Sequence, residues 1–114
     1  VHSIGEGLKT NNALKELYLW NNNITDVQSI GDGLKINNTL EYLDLDDNNI
    51  TDDSGIQSII DVLKTNNTLR LLNLYHNQLS DNTSMRYQLE AIQQYKRDGS
   101  NGYQQVKGFY IDTS

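Results

Sequence analysis

The chain has 114 residues, a formal net charge of −6 and no cysteine. This length allows one domain with a modest apolar core. An acidic surface disfavours nucleic acids and anionic membranes as partners, because both bind positive charge. Without cysteine there is neither a disulfide framework nor a thiolate metal site, and a reducing compartment such as the cytoplasm is favoured. No apolar run approaches the roughly 18–20 residues that cross a membrane.

The first predicted element is a helix within residues 1–13, and Val1 already lies inside it with no capping residue before it. Ile4, Leu8 and Leu14 are expected to face a preceding structural unit that the chain does not contain. We therefore predict an uncapped N-terminal edge, covered by further units or by another molecule, with self-association as one consequence.

Three strand blocks follow, at residues 14–24, 40–50 and 69–79. They read LKELYLWNNNI, LEYLDLDDNNI and LRLLNLYHNQL, and all fit the pattern L-x-x-L-x-L-x-x-N-x-[IL]. In the first block Leu17 and Leu19 alternate with polar or aromatic residues. This period of two predicts a strand that is buried on one face.

Predicted helices alternate with these strand blocks along the chain. The helical segments VHSIGEGLKTNNAL, VQSIGDGLKINNTL and IQSIIDVLKTNNTL align with one another at shifts of 26 and 29 residues. In the third segment the apolar residues Ile56, Ile59, Ile60 and Leu63 have helical spacing. Thr25 and Ser54 each stand three residues before a glutamine, a pattern that predicts capping boxes at the helix starts.

These blocks resemble the leucine-rich repeat, and their period is similar to the long, helix-containing repeats of ribonuclease inhibitor-like and NOD-like receptor domains. The resemblance implies an α/β solenoid, a short horseshoe arc with a parallel sheet on the concave face and helices on the convex face. We expect a single domain over residues 1–114. Its parts are a truncated repeat helix (1–13), three repeats (14–39, 40–68 and 69–97), and a loop with a degenerate capping strand (98–114).

The second strand block is rich in acids, which raises the alternative of a metal loop. A calcium-binding EF-hand loop would need glycine where Asn49 stands and glutamate where Gly55 stands, so we predict neither a metal nor a cofactor. The resemblance instead implies a structural asparagine ladder in the turns after the strands, because buried turn backbone needs hydrogen-bond partners. The ladder residues are Asn22, Asn48 and Asn77.

The last repeat continues into a longer predicted helix, with Met85, Leu89 and Ile92 on one apolar stripe. Residues 98–102 have loop composition. Val106, Phe109 and Ile111 keep the spacing of the strand block, so we predict a fourth strand that closes the C-terminal edge. A disordered tail is the alternative.

The outward positions of the strands form the candidate site. Exposed aromatic residues on one face are typical of binding hot spots, so we expect Trp20 and Tyr75 to anchor a protein partner, and the acids around them to prefer a basic one. The alternative is that the aromatics only stack as cross-strand pairs. The expected partner-binding residues are Glu16, Tyr18, Trp20, Tyr42, Asp44, Asp46, Asp47, Asn73, Tyr75 and His76.

Catalysis needs a nucleophile, an activated base or a metal. His76, predicted to lie near Asp47 and Tyr75, is the candidate base, but no serine is obviously placed beside it and a shallow sheet excludes little water. We therefore predict a non-enzymatic protein-interaction module. The alternative is a structural spacer or an oligomerising fragment of a larger repeat protein.

Overall fold

The computed structural model of the chain describes residues 2–25, 27–50, 53–77, 83–98 and 110–112. In these parts helices and strands alternate, which confirms the predicted α/β class. In chain order the elements are α1 (His2–Thr10), β1 (Glu16–Tyr18), α2 (Gln28–Leu34), β2 (Tyr42–Asp44), α3 (Asp53–Leu63), β3 (Leu71–Asn73), α4 (Thr83–Asp98) and β4 (Tyr110–Asp112).

The four strands form one parallel sheet in the order β1-β2-β3-β4. Leu17, Leu43, Leu72 and Ile111 occupy matching places in the register of neighbouring strands. Parallel neighbours must be joined by a crossover, and a helix lies in each connection. One strand and one helix therefore form each repeating layer.

The core lies between the sheet and the helices. Leu43 and Leu72 of the central strands are fully buried, and so are Ile56 and Ile60 of α3. The apolar stripe predicted for residues 56–63 is therefore confirmed. Full burial of one such side chain stabilises the folded state by about 1.5–3 kcal/mol.

Two helices begin at residues other than those predicted from capping boxes. The N-cap of α2 is Val27, which makes no side-chain capping bond, so Thr25 lies two residues too early. Ser54 lies inside the first turn of α3 rather than at its cap. Val27 is fully buried at the N-cap, whereas Thr25 is exposed.

The N-terminal edge is less open than expected. Leu8 is buried in the core, so the prediction that it faces an absent unit is wrong. Ile4 is half-buried and packs against the core. Leu14 is exposed, as expected. The physical reason for the burial is the close packing of α1 on α2, which covers Leu8.

Glycines permit that close packing. A Cβ atom built on Gly5 would lie 2.2 Å from the carbonyl oxygen of Ser29, and one built on Gly33 would lie 2.6 Å from the carbonyl oxygen of Gly5. A side chain at either position would collide with backbone. By contrast, a Cβ atom on Gly7 would meet nothing within 4 Å.

The C-terminal part contains the predicted long helix and a fourth strand. Leu89 and Ile92 of α4 are buried, and Met85 packs against the core. Ile111 of β4 stands in register with Leu72. The loop was predicted over 98–102, but Asp98 is the last residue of α4; residues 99–102, and Val106 and Phe109, lie outside the described residues.

Within the described parts of the chain, no helix combines the length and the apolar character needed to cross a membrane.

Candidate protein-interaction surface

The candidate surface is the side of the sheet opposite the helices, here called the open face. By strand alternation it carries Glu16 and Tyr18 of β1 and Tyr42 of β2, and just past the strand ends Trp20 and Tyr75. Tyr18 is 52% exposed and Trp20 is 57% exposed. Large side chains are thus presented to solvent by short strands whose other faces lie in the core.

At the β1 end of the open face, two tyrosines and a carboxylate form one cluster. The rings of Tyr18 and Tyr42 lie 5.1 Å apart at a tilt of 38°. The Tyr18 hydroxyl donates a hydrogen bond of 2.5 Å to Oε1 of Glu16. This bond to a carboxylate, with smaller contributions from partial desolvation and neighbouring negative charge, raises the pKa of Tyr18 to about 12.

Asp44 does not face solvent, which corrects the sequence prediction. Its side chain is only 8% exposed, and its Oδ1 accepts a hydrogen bond of 2.9 Å from the backbone N–H of Asp46. Asn73 accepts the equivalent bond from the backbone N–H of Tyr75, also at 2.9 Å. Both side chains shape the turn after their strand, as short polar side chains commonly do, and this local bond turns the Asp44 carboxylate away from a partner.

Three matching turn residues, one after each of β1, β2 and β3, have a left-handed backbone conformation. Asn21, Asp47 and His76 have φ values of 57°, 54° and 55°. Asparagine, aspartate and histidine are the non-glycine residues that most often tolerate this conformation. The backbone conformation of the turn therefore explains why these three residue types occur here. The side chains of all three are exposed.

His76 pairs with Asp46 rather than lying against Asp47 as the sequence suggested. Its Nδ1 lies 3.1 Å from Oδ1 of Asp46, and its ring meets that of Tyr75 edge-on with centroids 4.0 Å apart. Both members of the pair are open to water, so the bond is a surface contact. No group of three or more potential metal ligands occurs in the described ranges.

Of the three predicted ladder asparagines, Asn48 and Asn77 bond across repeats, whereas the exposed Asn22 side chain donates locally to the carbonyl oxygen of Trp20 at 3.1 Å. Oδ1 of Asn48 accepts the backbone N–H groups of Asn22 and Ile24, both at 2.9 Å, while its Nδ2 donates to the carbonyl oxygens of Leu19 and Leu45. Asn77 repeats the arrangement: its Oδ1 accepts from Ile50 and its Nδ2 donates to the Leu45 carbonyl. These side chains satisfy backbone groups in successive turns and hold the end of the open face rigid.

Comparison with known proteins gives the family of the repeats. A family model described as leucine-rich repeats, in two copies, matches residues 12–58. Residues 12–58 therefore contain two leucine-rich repeats, and the parallel sheet with its helices has the fold of a leucine-rich repeat arc. No curated protein matches the sequence.

One solved structure resembles almost the whole leucine-rich repeat chain. It is described as leiomodin-1 actin-binding site 2, with a TM-score of 0.69 and 26% sequence identity. The match covers 99% of this chain and 61% of that one, so the chain spans about three-fifths of the length of that structure.

A second asparagine ladder, which the sequence analysis did not identify, runs along the opposite edge of the leucine-rich repeats. Nδ2 of Asn37 donates to the carbonyl oxygens of Leu8 and Asn11, and its Oδ1 accepts from the backbone of Thr39 and Leu40. Asn66 repeats these bonds one repeat later. The signal in the sequence was the recurring Asn-Asn pair at shifts of 26 and 29 residues.

Lys96 takes over where this second ladder stops. Tyr95 stands at the position of the next ladder asparagine, and the neighbouring Lys96 donates from Nζ to the carbonyl oxygen of Asn66. The Lys96 side chain is fully buried, and this burial lowers its pKa to about 8 because the charged amine loses water. A lysine in the last described helix thus caps a backbone group that an asparagine amide caps in earlier repeats.

Proposed function

We propose that this chain is a non-catalytic protein-interaction module that binds a partner on the open face of its sheet. The observation that carries the proposal is the exposure of Trp20, whose large ring stands 57% open at the end of β1. Tryptophan and tyrosine bring much apolar area at little cost in rotamer entropy, which makes them frequent anchors of interfaces. Tyr75 is the second proposed anchor, with Tyr18 and Tyr42 beside them.

The proposed partner surface is basic. Glu16, Asp46 and Asp47 are the acidic residues on the open face and in the turns beside it. Asp44 is left out because its carboxylate bonds the backbone of its own turn. Between Glu16 and Leu34, and between Ile36 and Leu63, the sequence contains no lysine or arginine. Unlike charges across an interface accelerate association and select the partner.

Actin is the first partner that we propose to test. The solved structure that resembles this chain is described as an actin-binding site of leiomodin-1. The helix in each repeat and the shifts of 26 and 29 residues support the finer proposal that the repeats are of the ribonuclease inhibitor-like type. The cysteine-free sequence is our reason for proposing the cytoplasm as its compartment.

The binding test uses Trp20 as its own reporter, since it is the only tryptophan of the chain. Binding of actin at the open face should weaken about tenfold or more in the double variant Trp20→Ala/Tyr75→Ala, measured by co-sedimentation and anisotropy with labelled chain. In the native chain, a chemical quencher should reduce the fluorescence of Trp20 less when the partner is present than when it is absent.

The matched control is Tyr87→Ala. Tyr87 is 67% exposed on α4, so it is a large exposed ring outside the open face. Its loss should leave binding unchanged. Equal loss in this control and in the double variant, or no loss in the double variant with an unchanged circular dichroism spectrum, would contradict the proposed site.

Self-association through the N-terminal edge is the second candidate, and the leucines of β1 favour it. Leu17 and Leu19 are only half-buried, whereas the matching residues Leu43 and Leu45 of the next strand are fully buried. If this candidate holds, the molar mass from light scattering should rise with concentration, and Leu17→Lys should abolish the rise. A concentration-independent mass of a monomer would exclude it.

A further inference from the structure

We propose that a groove on the edge of the molecule where the helices end and the strands begin is a second protein-binding surface, and that Ile36 anchors an acidic segment of a partner there. This edge groove is lined by the loops after α2 and α3 and has a volume of about 330 Å³. It involves none of the residues proposed for the open face, so the two surfaces can be tested independently.

Ile36 stands where the other repeats have threonine. The matching dipeptides at the ends of the three helices are Lys9-Thr10, Lys35-Ile36 and Lys64-Thr65. Ile36 is 59% exposed, the highest exposure of any aliphatic side chain among the large exposed apolar residues of the described part. An apolar side chain that is so exposed therefore differs from the polar residue that the other repeats have at the same position.

Threonine at this position makes a side-chain hydrogen bond that isoleucine cannot make. The hydroxyl of Thr10 donates to the carbonyl oxygen of Gly7, and the hydroxyl of Thr65 donates to that of Val62, both at 3.3 Å. These bonds add to the backbone bonds that the two carbonyl groups already accept, from Asn11 at Gly7 and from Asn66 at Val62. Ile36 forgoes such a bond and exposes its apolar side chain, so local stability gives no reason for isoleucine here.

The groove is held in shape by the second asparagine ladder. Asn37 and Asn66 lie in its walls, and their side-chain amides bond the loop backbone on both sides. A partner that docks here does not have to order these loops, which lowers the entropic cost of binding.

Cationic residues are concentrated on this edge of the molecule. All lysines and arginines of residues 1–85 lie at the end of a helix or in the segment between a helix and the next strand; they are Lys9, Lys15, Lys35, Lys64 and Arg70. Four of these cations have a carboxylate beside them: Lys9 lies 3.4 Å from Glu6, Lys15 and Arg70 both lie 3.7 Å from Glu41, and Lys64 lies 3.8 Å from Asp61.

Within the described residues, no carboxylate pairs with Lys35, which is exposed and lines the groove. Favourable interaction with helix dipoles accounts for lysines at helix ends. It does not account for an exposed isoleucine beside one of them. An acidic segment with an apolar residue satisfies both features, because its carboxylates face Lys35 while its apolar side chain packs on Ile36.

The test is a titration of the ¹⁵N-labelled chain with a short synthetic peptide of repeating Glu-Leu-Glu units. We expect amide shifts at residues 35–38 and 65–68 that weaken as salt is added. Ile36→Thr should reduce the affinity about tenfold, because it removes the apolar anchor. It should not impair folding, since threonine already occupies this position in the flanking loops. Ile36→Val should keep the affinity, and Lys35→Gln should lower it.

Several outcomes would overturn the proposal. These are the absence of shifts in the groove, equal binding by Ile36→Thr and the native chain, or equal shifts with a Lys-Leu-Lys peptide. Groove shifts that follow protein concentration without peptide would assign the groove to a second copy of the chain. Normal peptide binding by the Trp20→Ala/Tyr75→Ala variant is expected, so failure here and failure of the open-face proposal are distinguishable.

Discussion

At the scale of single residues, asparagine and lysine side chains bond equivalent backbone carbonyl groups in different repeats. Each loop before a strand contains a backbone carbonyl that the next repeat must cover. Asn37 and Asn66 do this with a neutral amide that also accepts two backbone N–H groups. Lys96 does it with an amine, which can only donate. The use of an amine in place of the asparagine amide therefore introduces a group that titrates.

The lowered pKa of Lys96 predicts a pH dependence of stability. The folded pKa is about 8, below the ordinary value of 10.5, so between these values the unfolded chain binds more protons. The free energy of unfolding should therefore rise with pH across this window, by up to about 1 kcal/mol per pH unit from this group. Urea unfolding at pH 7 and at pH 9.5 measures the rise.

Lys96→Met is the control for this prediction, because it keeps the length and removes the charge. The variant should lose most of the difference between the two pH values. The same rise with pH in the native chain and in Lys96→Met would show that other groups cause it.

At the scale of elements, the spacing between α1 and α2 depends on glycine. Gly5 and Gly33 let the two helices approach until a Cβ atom would collide with backbone. Helix interiors ordinarily disfavour glycine by about 1 kcal/mol relative to alanine, so its presence here reflects packing. Gly7 lies in the same helix as Gly5 and has no such neighbour.

These two environments give a matched pair of variants. Gly33→Ala should lower the free energy of unfolding by about 1–3 kcal/mol, because the methyl group has no room. Gly7→Ala should raise it by up to about 1 kcal/mol, because alanine favours the helix and meets open space. Urea midpoints of the two variants would measure the difference. Shifts in the same direction would contradict the packing of α1 on α2.

At the scale of the whole molecule, each repeat is buried by its neighbours. Leu43, between β1 and β3, is fully buried, whereas Leu17 at the same register position of β1 is only half-buried. A strand in such an array gains its core from the layers on both sides. The sheet is therefore less covered along β1 than along β2 and β3.

This asymmetry predicts unequal costs for the same substitution. Leu43→Ala should lower the free energy of unfolding by about 2–5 kcal/mol, the usual range for a buried leucine. Leu17→Ala should cost clearly less, since less apolar area is lost from contact. Thermal and urea unfolding of both variants measure this. An equal cost would mean that Leu17 is covered in solution, for instance by a second copy.

The sequence was a sufficient basis for some of these features and not for others. The alternation around Leu43 predicted a strand, and the spacing from Ile56 to Leu63 predicted the buried face of a helix. Both are local periodicities, which mark the faces of an element before its neighbours are known. Of the candidate site, the exposure of Tyr18 and Trp20 follows the same alternation. The partner-binding role of the open face stays a prediction.

The sequence by itself determined the repeat, the α/β order of elements and the core-facing residues of the central strands and α3, because these depend on periods within a short stretch of chain. Only the tertiary structure decided that Asp44 is occupied in its turn, that Leu8 is buried and that α2 begins after Val27. It also decided the bonds of Asn37 and the burial of Lys96. Most of these outcomes depend on groups one repeat away, and a local pattern carries no information on what an adjacent layer will cover or cap.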